Sequence, residues 1–316
     1  RTLSSSEKLS YIAAIKCLQT KPALTSRDFS GVRSRYDDFL ATHINNTDFI
    51  HFVMSNTPSP PQACALTKVY LSLLTQNTGI GVGSAFIRHW TRDATEASFA
   101  KAPVFDATYG FGGNGPFIDS SNDPNVLHIP GKTGGGCVLD GPFVHWTVNM
   151  GPGFSTAYNP RCMTRDLSSY FASQTLNSTV VAKTIAGKTF QAFDIQVQGT
   201  TTVEGMRYHG GGHLSVGGDL GIGLIDTDKC SDPLFYLHHA NLDRLWVKWE
   251  AAIPYRLYDI SGPDTQFAYP FNFFGDVAYK NVTLDFPMFF GKLGPEKPFV
   301  PIRNVMDISA MCYKYV

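Results

Sequence analysis

Residues 232–249, DPLFYLHHANLDRLWVKW, decide how the rest of the chain is read. Leu242, Leu245, Trp246 and Trp249 recur at i, i+3, i+4 and i+7, the spacing of an apolar stripe along a helix. Two adjacent histidines, His238 and His239, stand on the same helix. An amphipathic core helix accounts for the stripe but not for a doubled imidazole beside so apolar a face, because a buried imidazole needs a polar partner. A second pair stands upstream in YHGGGH, residues 208–213. His209 and His213 are four apart and share one face if this turn is helical. The three glycines between them are poor helix formers, so surrounding structure must hold the turn. They also leave room for close approach of backbone or ligand. A zinc protease needs a glutamate directly after the first histidine, and Gly210 stands there. His209, His213 and one of the doubled histidines make a three-imidazole site, a donor set that suits copper or zinc.

Composition narrows the function classes around this site. Of 316 residues 43% are apolar, enough for a sizeable core, and 16% are charged. Basic and acidic residues balance at 26 each with no basic run, which excludes a binder that lives on phosphate neutralisation. No apolar stretch approaches the ~20 residues of a membrane span. With no repeat, low-complexity tract or linker, residues 1–316 are expected to form a single domain. The expected partners are therefore small molecules, not nucleic acid or membrane.

Local patterns place the remaining elements. Ser4 and Glu7 have capping-box spacing ahead of a helix whose stripe is Leu9, Ile12 and Ala13. Residues 28–50 suggest a second helix, broken near Asn45 and Asn46. Residues 105–165 are rich in Gly, Pro, Asn and Ser and read as long ordered loops. Gly110, Gly112, Gly113 and Gly115 lack the preceding strand and following Lys-Ser/Thr of a phosphate cradle, so they are loop glycines. VVAKTI and FDIQVQ, residues 180–185 and 193–198, read as short strands. Six scattered cysteines without a CxxC pair argue against a zinc ribbon or a thioredoxin motif, and their pairing stays open. Sequons at Asn45, Asn177 and Asn281 are usable in a secretory pathway. The chain starts at Arg1 without a signal peptide and is expected to be a mature, secreted form.

Asp232, Pro233, Phe235, His239 and Asp243, followed by Arg244 and Trp246, resemble the copper B signature of the type 3 copper proteins, the family of tyrosinases, catechol oxidases and haemocyanins. EKLSYIAAIKCLQTKP, PVFDATYGFGGNGPF, GPFVHWTVNMGP and the final CYKYV are similar to the short secreted polyphenol oxidases of filamentous fungi. The resemblance implies a mainly α fold, a four-helix-bundle core around a binuclear copper site, with long ordered loops and a few short strands. It implies two copper ions. Copper B takes His209, His213 and His239, with His238 just outside, and copper A takes His43 and His51. The partners it implies are dioxygen and small phenols. The reaction is oxidation of o-diphenols, and of o-aminophenols, to o-quinones, with dioxygen reduced to water.

The same resemblance assigns further residues. Gly210 and Leu214, each following a copper B histidine, are expected at the substrate pocket. Neither accepts a proton, so monophenol hydroxylation is expected to be weak or absent. Asp243 is expected either to fix a ligand tautomer or to pair with Arg244, and Gln198 to stand at a water-holding position. Cys17 and Cys312 can pair if the termini meet. No covering extension follows CYKYV, so the chain reads as the accessible form.

The resemblance breaks in one place. A third copper A histidine is due nine residues after His51, where Pro60 stands. Residues 52–89 match the family nowhere, and the match resumes at Trp90. One choice of codons for Asn77–Gly81 reads, in another frame, as the family's Tyr-Trp-Asn-Trp motif, so this segment is expected to be shifted-frame or intron sequence. His89 is the nearest replacement ligand, while His128 and His145 read as structural. Two rivals follow: a non-catalytic dioxygen- or copper-binding relative with a degenerate copper A site, and a mononuclear zinc hydrolase on His209, His213 and His239, which lacks a placed general base.

Overall fold

The computed structural model describes residues 3–50, 89–200, 202–221, 231–264, 278–293, 298–311 and 313–315. His51, Pro60, residues 52–88, the KCSDP departure up to Cys230, and Cys312 lie outside the described residues. Helix α1, Ser5–Thr20, starts at the capping box: Ser4 Oγ accepts the Glu7 N–H, and the Ser4 N–H donates to Glu7 Oε2 at 2.7 Å. Its buried face is Tyr11, Ile12, Ala14, Ile15 and Leu18. Leu9 is exposed, and Ala13 with it, so the expected stripe lay one position off.

Helix α2, Arg35–Ile50, begins later than the pattern suggested and runs through Asn45 and Asn46 unbroken. Tertiary contact overrides the weak propensity there. Asn46 is buried and its Nδ2 donates to the Phe289 carbonyl at 2.9 Å.

The segments read as short strands are helices. Helix α3 is Ser169–Thr175, α4 is Ser178–Ile185 and α5 is Phe190–Gln198. Each follows a side-chain cap: Ser168, Asn177 and Thr189 accept backbone N–H groups of the first turn. Such a cap is worth about 1 kcal/mol. Together with burial of Phe190, Phe193 and Val197, this outweighs the β preference of Val and Ile. Helix α6, Tyr208–Gly217, carries the glycine run, and α7, Leu234–Glu250, carries the doubled histidine. Helix α6 packs against α3, α5 and α7, and α4 packs against both α5 and α7.

Long loops dominate residues 105–165, as expected. Strands are short antiparallel pairs: β1, Val126–Leu127, with β4, Leu220–Gly221; β2, Thr147–Val148, with β3, Arg161–Cys162; and β5, Pro287–Phe289, with β6, Phe299–Pro301. Cys137 and Cys162 form a disulfide in the loop region, while Cys17 is a free thiol and so is not joined to Cys312. Gly112 sits at φ +83°, and a Cβ there would stand 2.4 Å from the Asp140 carbonyl oxygen. Its role is a tight loop, not phosphate binding.

Arg165 ties these loops to α7. It is 1% exposed, donates to the carbonyls of Gly112 and Gly113 at 2.5 and 2.8 Å, and pairs with Asp232 at 2.9 Å. Asp232 also accepts the Leu234 N–H at 3.0 Å, so it starts the helix that holds His239. Trp246 and Trp249 lie at 1% and 0% exposure within one core with Phe190 and Phe193. No described helix is long and apolar enough to cross a membrane.

Candidate metal centre

Helix α6 holds His209 and His213 one turn apart, and α7 brings His239 against them. The Nε2 atoms of His209 and His213 are 3.0 Å apart, and those of His213 and His239 are 3.1 Å apart. Ligand atoms of all three residues lie within 4.8 Å of one another, and among the described residues this is the group of three or more that fits a metal ion. A cation held at ~2.0 Å by tetrahedrally disposed imidazoles spaces the nitrogens about 3.3 Å apart. The observed spacing is close to that. Burial, then the charges of His213, His209, His238 and His43, hold the His239 imidazole well below its usual range, so it is neutral. Lone pairs converge on one point, and a cation is what such a set accommodates.

The glycines between the ligands permit this convergence. A Cβ at Gly211 would stand 2.3 Å from Thr175 Oγ1 on α3, and one at Gly212 would stand 2.2–2.6 Å from three atoms of the His238 ring. Both faces of α6 are thereby pressed against neighbouring helices. Gly210 differs, because a Cβ there would meet only the flexible Met206 side chain, at 3.1 Å.

His238 is structural. Its Nδ1 accepts the Trp90 indole N–H at 2.9 Å, and its Nε2–H donates to the His209 carbonyl at 2.9 Å. Burial lowers its pKa to about 4, so the imidazole is neutral and both nitrogens are engaged. Of the doubled pair, only His239 faces the cluster.

His43 lies on α2 at 2% exposure, with its ring 5.0 Å from that of Phe235. The Phe235 ring is in turn 4.2 Å from that of His239, so this side chain packs against both His43 and the three-imidazole cluster. His51 lies outside the described residues, and among the described residues no second metal-binding group forms around His43. His89 precedes a short 3-10 turn and its Nδ1 is 2.8 Å from Thr91 Oγ1. His128 and His145 are exposed and lie away from the cluster.

The outer residues differ from expectation in their roles. Gln198 Oε1 is 2.8 Å from His209 Nδ1, so Gln198 holds a ligand ring directly. Asp243 Oδ2 accepts the hydroxyls of Tyr313 and Tyr315 at 2.6 and 2.5 Å. Arg244 donates to Asn241 Oδ1 at 3.0 Å. A carboxylate one turn past His239 therefore anchors the C-terminal segment. Leu214 is 2% exposed in an apolar cluster with Ile129, Phe171 and Val203, which places it in packing and not on an open pocket wall. A cavity of about 70 Å³ lies against His213, Phe235, His238 and Trp90. Ordinary ligand sites start near 300 Å³. It has room for water, not for a phenol. Among the sequons, Asn45 and Asn281 are exposed, whereas the Asn177 amide caps α4 and donates to the Ser173 carbonyl at 2.9 Å.

Sequence reasoning missed Trp90 and Asp194. The position of Trp90 is discernible only as the residue where family resemblance resumes. Asp194 stands four before Gln198 on one helix, a spacing that was available as a signal.

Comparison with known proteins agrees with the site. The common central domain of tyrosinase matches residues 89–252. The chain is 34% identical to the N-acetyl-6-hydroxytryptophan oxidase of Emericella nidulans, over 99% of this chain and 90% of that protein. It is 30% identical to tyrosinase P of Aspergillus terreus, over 99% and 89% respectively. A polyphenol oxidase variant from Thermothelomyces thermophila superposes with a TM-score of 0.81 at 28% identity, covering all of this chain and 87% of that one. A helical core that converges three imidazoles, and relatives of this closeness along nearly the whole chain, make this a fungal tyrosinase-like protein of the type 3 copper family.

Proposed function

We propose that the protein oxidises o-diphenols, and o-aminophenols, to the corresponding o-quinones, with dioxygen reduced to water. The observation that carries this reading is the convergence of His209, His213 and His239, whose donor chemistry fits copper. Copper, when bound, supplies the redox capacity that takes two electrons from the diphenol. The chain's own residues do the rest. His209, His213 and His239 would hold one ion, and His43 with His51 would contribute to the second. Phe235 packs against both His43 and His239 and presents an apolar surface to each. His209 and His239 are buried, and Trp90 braces the cluster through its hydrogen bond to His238.

Preference for diphenols rests on Gly210. The position after the first ligand offers no side chain to orient a water or accept the phenol proton. One observation favours a wider substrate panel: a relative at 34% identity is named for a hydroxylated tryptophan derivative. Hydroxyindoles therefore belong beside catechols in the assay. Secretion, with glycans at the exposed Asn45 and Asn281, is part of the same proposal. The test is oxygen uptake by copper-loaded protein with catechol, an o-aminophenol, tyrosol and a hydroxyindole. Rapid uptake with catechol and little with tyrosol supports the proposal. No uptake with any of them, despite bound copper, favours the non-catalytic relative.

A further inference from the structure

We infer that Asp194 and Gln198 are positioning residues that set the tautomer of His209 and so aim its Nε2 at the metal. The inference deepens the three-imidazole reading and rests on it. Gln198 Oε1 and His209 Nδ1 are 2.8 Å apart, and both side chains are buried. An amide is ambiguous by itself, because its oxygen and nitrogen occupy the same shape and the ring nitrogen can be donor or acceptor. Asp194 removes the ambiguity. Its carboxylate, 2% exposed and one turn earlier on α5, takes a hydrogen bond from Gln198 Nε2 at 3.0 Å.

Direction then propagates along the chain of contacts. A carboxylate only accepts, so the amide nitrogen must face Asp194 and the amide oxygen must face His209. The ring must therefore carry its proton on Nδ1, which leaves a lone pair on Nε2, the atom 3.0 Å from His213 Nε2. The other end of His209 is fixed as well, since its carbonyl accepts from His238. Side chain and backbone of this ligand are thus held from α5 and α7 at once. A charged carboxylate in direct contact with the ring would fix the same tautomer but would also polarise it strongly. Interposing a neutral amide keeps the ligand closer to an ordinary imidazole.

Outer partners of this kind typically contribute 10–100-fold to metal affinity. Gln198→Leu removes the acceptor at similar volume and is expected to weaken cobalt(II) binding by that factor in the full chain stripped of metal. Asp194→Asn, which no longer dictates the amide orientation, is expected to weaken it less. The double variant Asp194→Asn/Gln198→Glu restores a donor–acceptor pair ending in an oxygen at His209 and is expected to recover most of the affinity. A structural role alone would not be rescued in this way.

Nuclear magnetic resonance of ring-labelled histidine adds a signature independent of activity. The wild-type zinc-loaded protein is expected to show a slowly exchanging Nδ1–H for His209, absent in Gln198→Leu. If wild-type protein binds no cobalt(II) or zinc, the three-imidazole reading fails. If wild type binds and Gln198→Leu binds equally with the Nδ1–H signal intact, the positioning role is overturned. Should Gln198→Leu not fold, the double variant decides: affinity more than 10-fold below wild type contradicts the inference, and near-wild-type affinity with the Nδ1–H present supports it.

Discussion

His239 and His238 are neighbours in sequence with opposite employment. His239 faces His213 at 3.1 Å, while His238 spends both nitrogens on Trp90 and the His209 carbonyl. Two expectations separate them. His239→Ala removes one of three imidazoles from a site without a spare ligand, so copper at that site and oxidase activity should both be lost. Elemental analysis of the purified variant checks this, and unchanged copper would assign the role to His238. Trp90→Phe keeps an aromatic ring, at some loss of volume, and deletes the donor to His238 Nδ1, leaving a buried acceptor unmet. That loss costs about 1–3 kcal/mol. A lowered denaturant midpoint with copper still bound is the expected result. The sequence marked the ligand identities through the spacing in YHGGGH and the position of His239. It could not show the role of Trp90, because a contact across 148 positions leaves no local pattern.

Helices α6 and α7 approach closely because Gly212 has no side chain. Gly212→Ala would drive a methyl into the His238 ring and part the two helices, so both stability and copper at the three-imidazole site should fall. Overpacking of this kind costs typically 1–3 kcal/mol. Gly210→Asn is the matched comparison, since only the mobile Met206 end must yield, and thermal stability should change little. Oxygen uptake with tyrosol should rise in that variant if the lack of a side chain to orient a proton-accepting water limits monophenol chemistry. At this scale the sequence was legible where a capping box marked the start of α1 and where an apolar stripe ran along α7. It misled at residues 180–185 and 193–198, where β-branched residues suggested strands. The caps Asn177 and Thr189 were visible but were outweighed in the reading by Val and Ile.

The loops are fastened to the copper-bearing helices by charge as well as packing. Asp219, just past α6, accepts from Ser120, the Ile129 N–H and Lys132. Burial pushes its carboxyl up, but these hydrogen bonds outweigh it and bring the pKa down to about 2. An unfolded aspartate titrates near 3.9. The folded state therefore binds the proton more weakly, so this contribution is present above pH ~4 and is lost as pH falls toward 2. Asp219→Asn should lower the melting temperature at pH 7 and reduce its dependence on pH between about 4 and 2, as read by calorimetry. Closure of these loops through Arg165 and Asp232 was hidden in the sequence, since the pair is 67 residues apart. For copper A the sequence offers only His43 and His51 as expectations, because the third position falls where the resemblance breaks.

Copper content per chain, measured by mass spectrometry on protein reconstituted with excess copper and then desalted, tests the central claim most directly. For the sequence as written the expected result after desalting is about one tightly held copper per chain in the wild type, because an ion on His43 and His51 alone is held weakly and returns only in excess copper. None is expected in His239→Ala, with His238→Ala retaining metal at reduced stability. A wild-type chain that holds no copper, or a His239→Ala chain that holds as much as the wild type, would contradict the three-imidazole copper site and the function built on it.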